Sequence, residues 1–153
     1  MTITAEQLEL LAVGSKAPNF DLPAHDGTQI TLGDYAGKNL VIVFYPKDST
    51  PGCTRQLCAL RDDRETFKGL NTEVLASNPG SANSHTNFVE KQQYNFPILV
   101  DAEREMAASY HTLKENGTSI ERTVYIIDGE GVIRYAKRGL PSDEELIEAI
   151  NNF

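Results

Sequence analysis

An uninterrupted run of apolar residues, positions 40–45, places the strongest limit on the fold of this chain. A strand with one face in solvent alternates apolar and polar residues, whereas a strand covered on both faces is apolar throughout. The run therefore predicts a central strand with helices on both sides of its sheet. Weaker strands predicted at 73–76 and 97–100 alternate with helices, and this order is typical of an α/β protein.

Turn and capping signals predict the other elements. Asp-Gly pairs at 26–27 and 128–129 predict two β-hairpins, of which the second joins strands at 123–127 and 132–135. Helices are expected from the cysteine segment through about position 67, from Ser81 or Ser84 to position 94, and at 103–110. A short N-terminal helix is expected with Thr4 as its cap. The last helix is expected to begin at Ser142 and to bury Leu146, Ile147, Ile150 and Phe153. With 153 residues and no repeat or linker, a single domain over 1–153 is predicted.

The chain has only two cysteines, Cys53 and Cys58, and they follow the central strand directly. Thr50 precedes a proline, which disfavours a helical backbone at Thr50, and Pro51 suits a first helical position. Thr50 is therefore the predicted N-cap, and Cys53 falls at the third helical position. Unpaired N–H groups and the positive end of the helix dipole favour a thiolate there. Because this effect alone is small, a nearby arginine or lysine is also expected.

Helix geometry separates the two sulfur atoms. Five residues along an α-helix place the Cα atoms of Cys53 and Cys58 about 8.6 Å apart, whereas a disulfide tolerates at most about 7 Å. If the two cysteines pair, the helix between them must unwind locally. A permanent structural disulfide is the less favoured interpretation, because so short a loop would have to break its helix.

Composition excludes several classes of function. The net charge is −8 with scattered basic residues, which argues against nucleic acid or an anionic membrane as a partner. No basic N-terminal region and no apolar stretch of membrane-spanning length occur, so a cytoplasmic protein is expected. In a reducing compartment a cysteine pair is more often catalytic or metal-binding than structural. His25, His85 and His111 have no ligand spacing, so no metal site is predicted, and solvent-exposed or capping roles suffice for them.

The spacing Pro-x3-Thr-x2-Cys, formed by Pro46, Thr50 and Cys53, resembles the active-site signature of the peroxiredoxins. With Cys58 five residues on, the chain is similar to the Q-type branch, also called bacterioferritin comigratory protein. The similarity runs from position 14 to the final helix. It implies a thioredoxin-like fold, with a central mixed β-sheet flanked by helices and an N-terminal β-hairpin extension. The chain departs from the family pattern at 78–80, Asn-Pro-Gly, where relatives commonly have an aspartate; no catalytic role is expected there.

The resemblance implies a role for each residue of the site. Cys53 would attack a peroxide and become a sulfenic acid, and Cys58 would resolve it as an intramolecular disulfide. Thr50 would hold the peroxide and thiolate through its hydroxyl, and Pro46 would shield the sulfenic acid from water. Arg122, at the start of the strand 123–127, would be the missing cation that favours the thiolate and stabilises charge on the peroxide oxygens. A thioredoxin-like reductant, no cofactor and a monomer are implied as well.

Simpler interpretations remain open. Cys53 shares a helix face with two leucines and could be a buried apolar residue, and Cys58 could be inert. Thr50 could be only a cap, Pro46 only a strand terminator, and Arg122 only a solvated surface charge. For the whole chain, the alternatives to a thiol peroxidase are a thioredoxin-like protein disulfide reductase and a non-enzymatic binding domain. The Cys-x4-Cys spacing opposes the reductase, because thioredoxins use Cys-x-x-Cys.

Overall fold

A computed structural model describes residues 2–153 and contains a five-stranded mixed sheet in the order β5-β4-β3-β6-β7. β4 lies parallel to β3 and to β5, while β6 lies antiparallel to β3 and to β7. A separate two-stranded hairpin, β1-β2, precedes this sheet, as the sequence predicts. The strands are β1 (Asp21–Pro23), β2 (Gln29–Thr31), β3 (Asn39–Phe44), β4 (Thr72–Asn78), β5 (Ile98–Val100), β6 (Thr123–Ile127) and β7 (Ile133–Arg138).

Helices cover both faces of the sheet. The helices are α1 (Pro51–Asp62), α2 (Arg64–Gly69), α3 (Ala82–Gln92), α4 (Glu105–Ser109) and α5 (Asp143–Asn151), with short 3₁₀ turns at Glu6–Leu8 and Leu32–Tyr35. Alternate residues of β3 enter two separate apolar clusters: Val41 and Val43 pack with side chains of α1, α2, α3 and α5, and Leu40 and Ile42 pack with α4 and the β1-β2 hairpin. The continuously apolar β3 is thus buried on both faces, as predicted.

Three sequence predictions differ from the structure. The helix after the cysteines ends at Asp62, and a separate helix begins at Arg64, because Asp63 leaves the helical conformation at φ −96° and ψ 11°. The N-terminal helix is only a 3₁₀ turn, although Thr4 and Gln7 do form the reciprocal capping bonds. Phe153 is 37% exposed rather than part of the buried stripe, and the Arg134 guanidinium lies 5.2 Å from its ring centre.

None of the helices within 2–153 is both long and apolar enough to span a lipid bilayer.

Candidate active site

Cys53 lies at the carboxyl end of β3, in the first turn of α1. Thr50 has an extended backbone, with φ −81° and ψ 151°, and its carbonyl oxygen accepts a 2.8 Å hydrogen bond from the Thr54 N–H. Pro51 therefore begins the helix and Cys53 is its third residue, as predicted. The Cys53 side chain is completely buried and packs in the same apolar cluster as Leu57 and Leu60. Its sulfur is thus held by the helix on one side and by the core on the other.

Arg122 is the cation beside this sulfur. Phe44, the last residue of β3, pairs with Thr123, the first residue of β6, so Arg122 emerges next to the cysteine segment. Its Nη2 donates to Cys53 Sγ at 3.2 Å, and its Nη1 donates to Gln56 Oε1 at 2.9 Å. Arg122 is half-buried rather than a solvated surface charge. This contact places a positively charged donor directly against the Cys53 sulfur.

Gly52 leaves room for the guanidinium. A Cβ atom at this position would lie 3.3 Å from Arg122 Nη2, which is a tighter contact than most side chains accept. Gln56, one turn after Cys53 in α1, is buried, and its Oε1 accepts from Nη1, the other terminal nitrogen of the Arg122 guanidinium fork. Sequence reasoning assigned Gln56 no role, although its spacing of three from Cys53 places it on the same side of the helix.

The Thr50 hydroxyl does not cap α1. It donates instead to the Lys47 carbonyl oxygen at 2.9 Å, and no side-chain capping bond is present at this helix start. This bond folds the segment 46–50 back on itself and leaves the hydroxyl oxygen free to accept from a bound molecule. Pro46 lies in the same segment, directly after the buried Tyr45, and is itself exposed.

Cys58 lies in different surroundings from Cys53. Both belong to the unbroken helix α1 and both are free thiols, but Cys58 is only half-buried. Its sulfur lies 3.6 Å from Gln92 Oε1 and 3.7 Å from the Tyr94 hydroxyl. Burial, and then the hydrogen bond with Cys58, raise the pKa of Tyr94, so this hydroxyl keeps its proton. Helix geometry keeps the two cysteines about 8.6 Å apart at Cα, which is beyond disulfide reach.

A second polar group occurs at the same end of the sheet, and sequence reasoning missed it. His85, in α3, is completely buried, so the solvent-exposed or capping role expected for it is wrong. Its Nδ1 lies 2.6 Å from Asp48 Oδ2, and its Nε2 lies 3.1 Å from the Asn78 carbonyl oxygen. Phe88, three residues later and also buried, is the sequence signal that could have indicated a buried face at His85.

The segment 78–80 takes part in this group. The Asn78 side chain donates to the Tyr45 carbonyl oxygen at 2.8 Å and accepts from the Gly80 N–H at 2.7 Å. His25 and His111 are half-buried, and each bonds a backbone group through Nδ1. Within 2–153, no cluster of three or more His, Cys, Asp or Glu side chains is suited to hold a metal ion.

Comparison with known proteins gives consistent matches. The family model described as "AhpC/TSA family" matches residues 13–136. Peroxiredoxin Bcp of Bacillus subtilis is 36% identical over 146 residues, which cover 92% of this chain and 93% of the relative. Peroxiredoxin Bcp of Escherichia coli is 34% identical over 131 residues, which cover 82% of this chain and 84% of the relative.

Solved structures agree with these relatives. Peroxiredoxin Q of Xanthomonas campestris has a TM-score of 0.81 at 31% identity, covering 87% of this chain and 90% of that chain. PrxQ of Xylella fastidiosa has a TM-score of 0.87 at 27% identity, covering 94% and 98%. The predicted thioredoxin-like fold is confirmed. The chain belongs to the AhpC/TSA family, among its Bcp and PrxQ peroxiredoxins, and is a thiol-dependent peroxidase.

Proposed function

We propose that Cys53 is the peroxidatic residue and that Cys58 resolves it. The observation that carries the assignment is the 3.2 Å contact between Arg122 Nη2 and Cys53 Sγ at the start of α1. The Cys53 thiolate attacks one oxygen of the peroxide bond, the O–O bond breaks, and Cys53 becomes a sulfenic acid. The other oxygen leaves as hydroxide or alkoxide and takes up a proton to give water or an alcohol. Sulfur is oxidised and the peroxide is reduced.

Arg122 and Thr50 supply the electrostatic part of this step. The guanidinium of Arg122 stabilises the charge that moves from sulfur to the departing oxygen. The Thr50 hydroxyl, which donates to the Lys47 carbonyl oxygen, accepts a hydrogen bond from the peroxide. Pro46 limits the access of water to the sulfenic acid. Because Cys53 is completely buried, a substrate reaches its sulfur only after a small displacement of the covering groups. This favours hydrogen peroxide and small alkyl hydroperoxides over bulky ones.

Resolution follows when α1 unwinds. The Cys58 thiolate attacks the sulfenic sulfur, the S–O bond breaks, and an intramolecular Cys53–Cys58 disulfide forms. Hydroxide leaves and takes up a proton from solvent to give water. A thioredoxin-like dithiol protein then reduces this disulfide by exchange and is itself oxidised. A protein disulfide reductase is the less favoured function, because a sulfur buried as deeply as that of Cys53 is hard for a protein disulfide to reach.

The experiment adds one equivalent of hydrogen peroxide to the reduced protein, quenches with an alkylating reagent and measures the mass. The wild type should lose two thiols rapidly as one disulfide, whereas Cys58→Ser should accumulate sulfenic acid or over-oxidise. Slow loss in wild type and Cys53→Ser alike would contradict the proposal. Reduction of insulin disulfides by the protein would instead support the reductase.

We infer further that the protein acts as a monomer in the cytoplasm without a nucleic acid or membrane partner. The net charge of −8 supports the last two points. Sedimentation equilibrium of the reduced and oxidised forms tests the monomer, and a mass that rises with concentration in both forms would contradict it.

A further inference from the structure

The buried pair Asp48–His85 is net neutral by its hydrogen bonds. The Asn78 carbonyl oxygen can only accept, so His85 Nε2 carries a proton and donates to it at 3.1 Å. The 2.6 Å contact between His85 Nδ1 and Asp48 Oδ2 requires a second proton between these atoms. The pair therefore consists of an imidazolium and a carboxylate, or of their neutral forms, and both descriptions carry no net charge.

Two more donors converge on the same carboxyl group. The Tyr45 hydroxyl donates to Asp48 Oδ1 at 2.6 Å, and the Ser84 hydroxyl donates to Asp48 Oδ2 at 2.7 Å. Burial opposes ionisation of Asp48, but hydrogen bonds from His85, Tyr45 and Ser84 outweigh it and hold the pKa of this carboxyl below its usual value. The side chains of His85, Tyr45 and Ser84 thus hold the Asp48 carboxyl group in place.

Asp48 belongs to the segment that carries the catalytic groups. It lies between Pro46 and Thr50, and the next residue, Ser49, has a left-handed backbone with φ 64°. A residue other than glycine is strained in this conformation and keeps it only when its surroundings impose it. The bonds of Asp48 to Tyr45, Ser84 and His85 fix the chain just before Ser49, and the Thr50–Lys47 bond fixes it just after.

Close packing keeps the imidazole in place. A Cβ atom at Gly80 would lie 3.1 Å from His85 Cε1 and 2.9 Å from Asn78 Oδ1, so this position accepts no larger residue without a shift. Asn78 in turn bonds the backbone of Tyr45. The segment 78–80 therefore provides one wall of the histidine's site.

We propose that His85 is a positioning residue of the peroxidase: its Nδ1–H bond to Asp48 holds the segment 46–50, and with it the Thr50 hydroxyl, in the geometry that peroxide reduction needs. The inference rests on the proposed roles of Cys53 and Thr50. Because Asn and Gln are both neutral, replacing His85 by either one changes the charge at this site equally, so a difference between the two variants reports the placement of the peroxide rather than the ionisation of Cys53. Two reactions of the same thiolate separate these effects, since alkylation by iodoacetamide needs the thiolate but not the peroxide geometry.

The test compares His85→Asn with His85→Gln. The Asn amide nitrogen can occupy the place of Nδ1 and keep the bond to Asp48, whereas the Gln amide reaches the place of Nε2 and keeps only the bond to Asn78. For His85→Gln, the second-order rate constant with hydrogen peroxide should fall about tenfold or more. For His85→Asn it should stay within about threefold of wild type. The rate and the pH profile of Cys53 alkylation by iodoacetamide should be the same in the two variants.

Each other result overturns the inference. These results are equal peroxide rate constants in the two variants, a larger loss in His85→Asn than in His85→Gln, or alkylation that falls in parallel with the peroxide reaction. If neither variant folds, Ser84→Ala is the deciding variant, because it removes one hydrogen bond to Asp48 from a half-exposed residue. It should lower the peroxide rate constant severalfold and leave the alkylation rate unchanged. An unchanged peroxide rate constant overturns the inference. A wild type without fast peroxide reaction would refute the proposed function itself, so the two failures are distinct.

Discussion

At the scale of single residues, the site depends on the fork of Arg122. One nitrogen of the guanidinium contacts Cys53 and the other contacts Gln56, so the group is held in its plane at two points. A lysine at this position would keep the positive charge but could not make both contacts. Geometry and charge can therefore be separated by one substitution.

Arg122→Lys should lower the second-order rate constant with hydrogen peroxide about 10²-fold, the cost typical of losing one oriented donor to developing charge. Stopped-flow or quenched-flow single-turnover measurements on the reduced protein give the rate constant. Arg55→Lys is the matched control, because Arg55 is an exposed residue of the same helix start. A full rate constant in Arg122→Lys would show that the positive charge, rather than the two contacts of the guanidinium, matters, and an equal loss in Arg55→Lys would show that the effect is not specific to Arg122.

Gly52→Ala tests the space under the guanidinium. The new methyl group would lie 3.3 Å from Arg122 Nη2 and would push the fork away from the sulfur by a few tenths of an ångström. The peroxide rate constant should fall by about three- to tenfold. Helix propensity alone would slightly stabilise the variant, since alanine is the better helix former. A stable variant with full activity would contradict the assigned geometry.

Only some residues of this site could be predicted from local sequence patterns. Thr50, Pro51 and Cys53 follow from local rules of helix starts, and Arg122 was found only through the resemblance, because it lies 69 positions from Cys53. The contact of Asp48 with His85 joins residues 37 positions apart and leaves no local signal in either segment. Such contacts depend on which strands become neighbours, and that is decided by the whole sheet.

At the scale of elements, α1 determines when the two cysteines meet. Residues 51–62 form one helix, held at Cys58 by Gln92 and Tyr94 and at Arg61 by a 2.6 Å bond from Nη1 to the Gln92 carbonyl oxygen. The boundary to α2 at Asp63 was not predicted, because the apolar pattern continues across it through Leu57, Leu60 and Phe67. The strand β3 was predicted closely, because burial on both faces leaves an unbroken apolar run.

Oxidation should unwind the part of α1 that carries the cysteines. In hydrogen exchange, amides of 53–58 should lose protection by an order of magnitude or more in the disulfide form, while β3 and β6 keep theirs. Cys58→Ser treated with peroxide is the control and should retain the reduced pattern. Identical protection of α1 in both redox states would contradict the unwinding.

At the scale of the whole molecule, α1, α2 and α5 meet at a pair of carboxyl groups. Burial, followed by hydrogen bonding and repulsion from Asp63, raises the pKa of Asp143 to about 8. The Asp143 side chain is largely buried, and its Oδ2 has no hydrogen-bond partner within the described residues. In the unfolded chain its pKa returns to about 3.9. The folded protein therefore binds the proton more tightly than the unfolded chain.

The sign of the pH dependence follows from this difference. The stabilising contribution of the Asp143 proton is complete below about pH 4 and is lost as the pH rises through about 8. Asp143→Asn should raise the free energy of unfolding by about 1 to 3 kcal/mol at pH 8 and change it little at pH 5. Urea unfolding at both pH values measures this, with Glu148→Gln, an exposed residue of the same helix, as the control. A gain of equal size at both pH values would contradict the assignment.

We also propose that residues 1–153 unfold as one unit. The order β5-β4-β3-β6-β7 makes β3 a partner of both the parallel and the antiparallel half, so neither half has a sheet of its own. Calorimetry of the reduced protein should give a single transition with equal calorimetric and van't Hoff enthalpies. The layered α/β architecture and the two hairpins were predictable from the alternation of elements and the Asp-Gly turns, whereas the order of the other strands leaves no local signal in the sequence.

Tyr94 can serve as an intrinsic fluorescence probe of Cys58, because its hydroxyl lies 3.7 Å from Cys58 Sγ. The sequence has six tyrosines and no tryptophan, so tyrosine emission is not overlaid by a stronger fluorophore. When Cys58 leaves this ring to pair with Cys53, the emission of Tyr94 should change at the rate of disulfide formation, and Tyr94→Phe should lose the signal. The rate of disulfide formation can therefore be measured by tyrosine fluorescence, without a label attached to either cysteine.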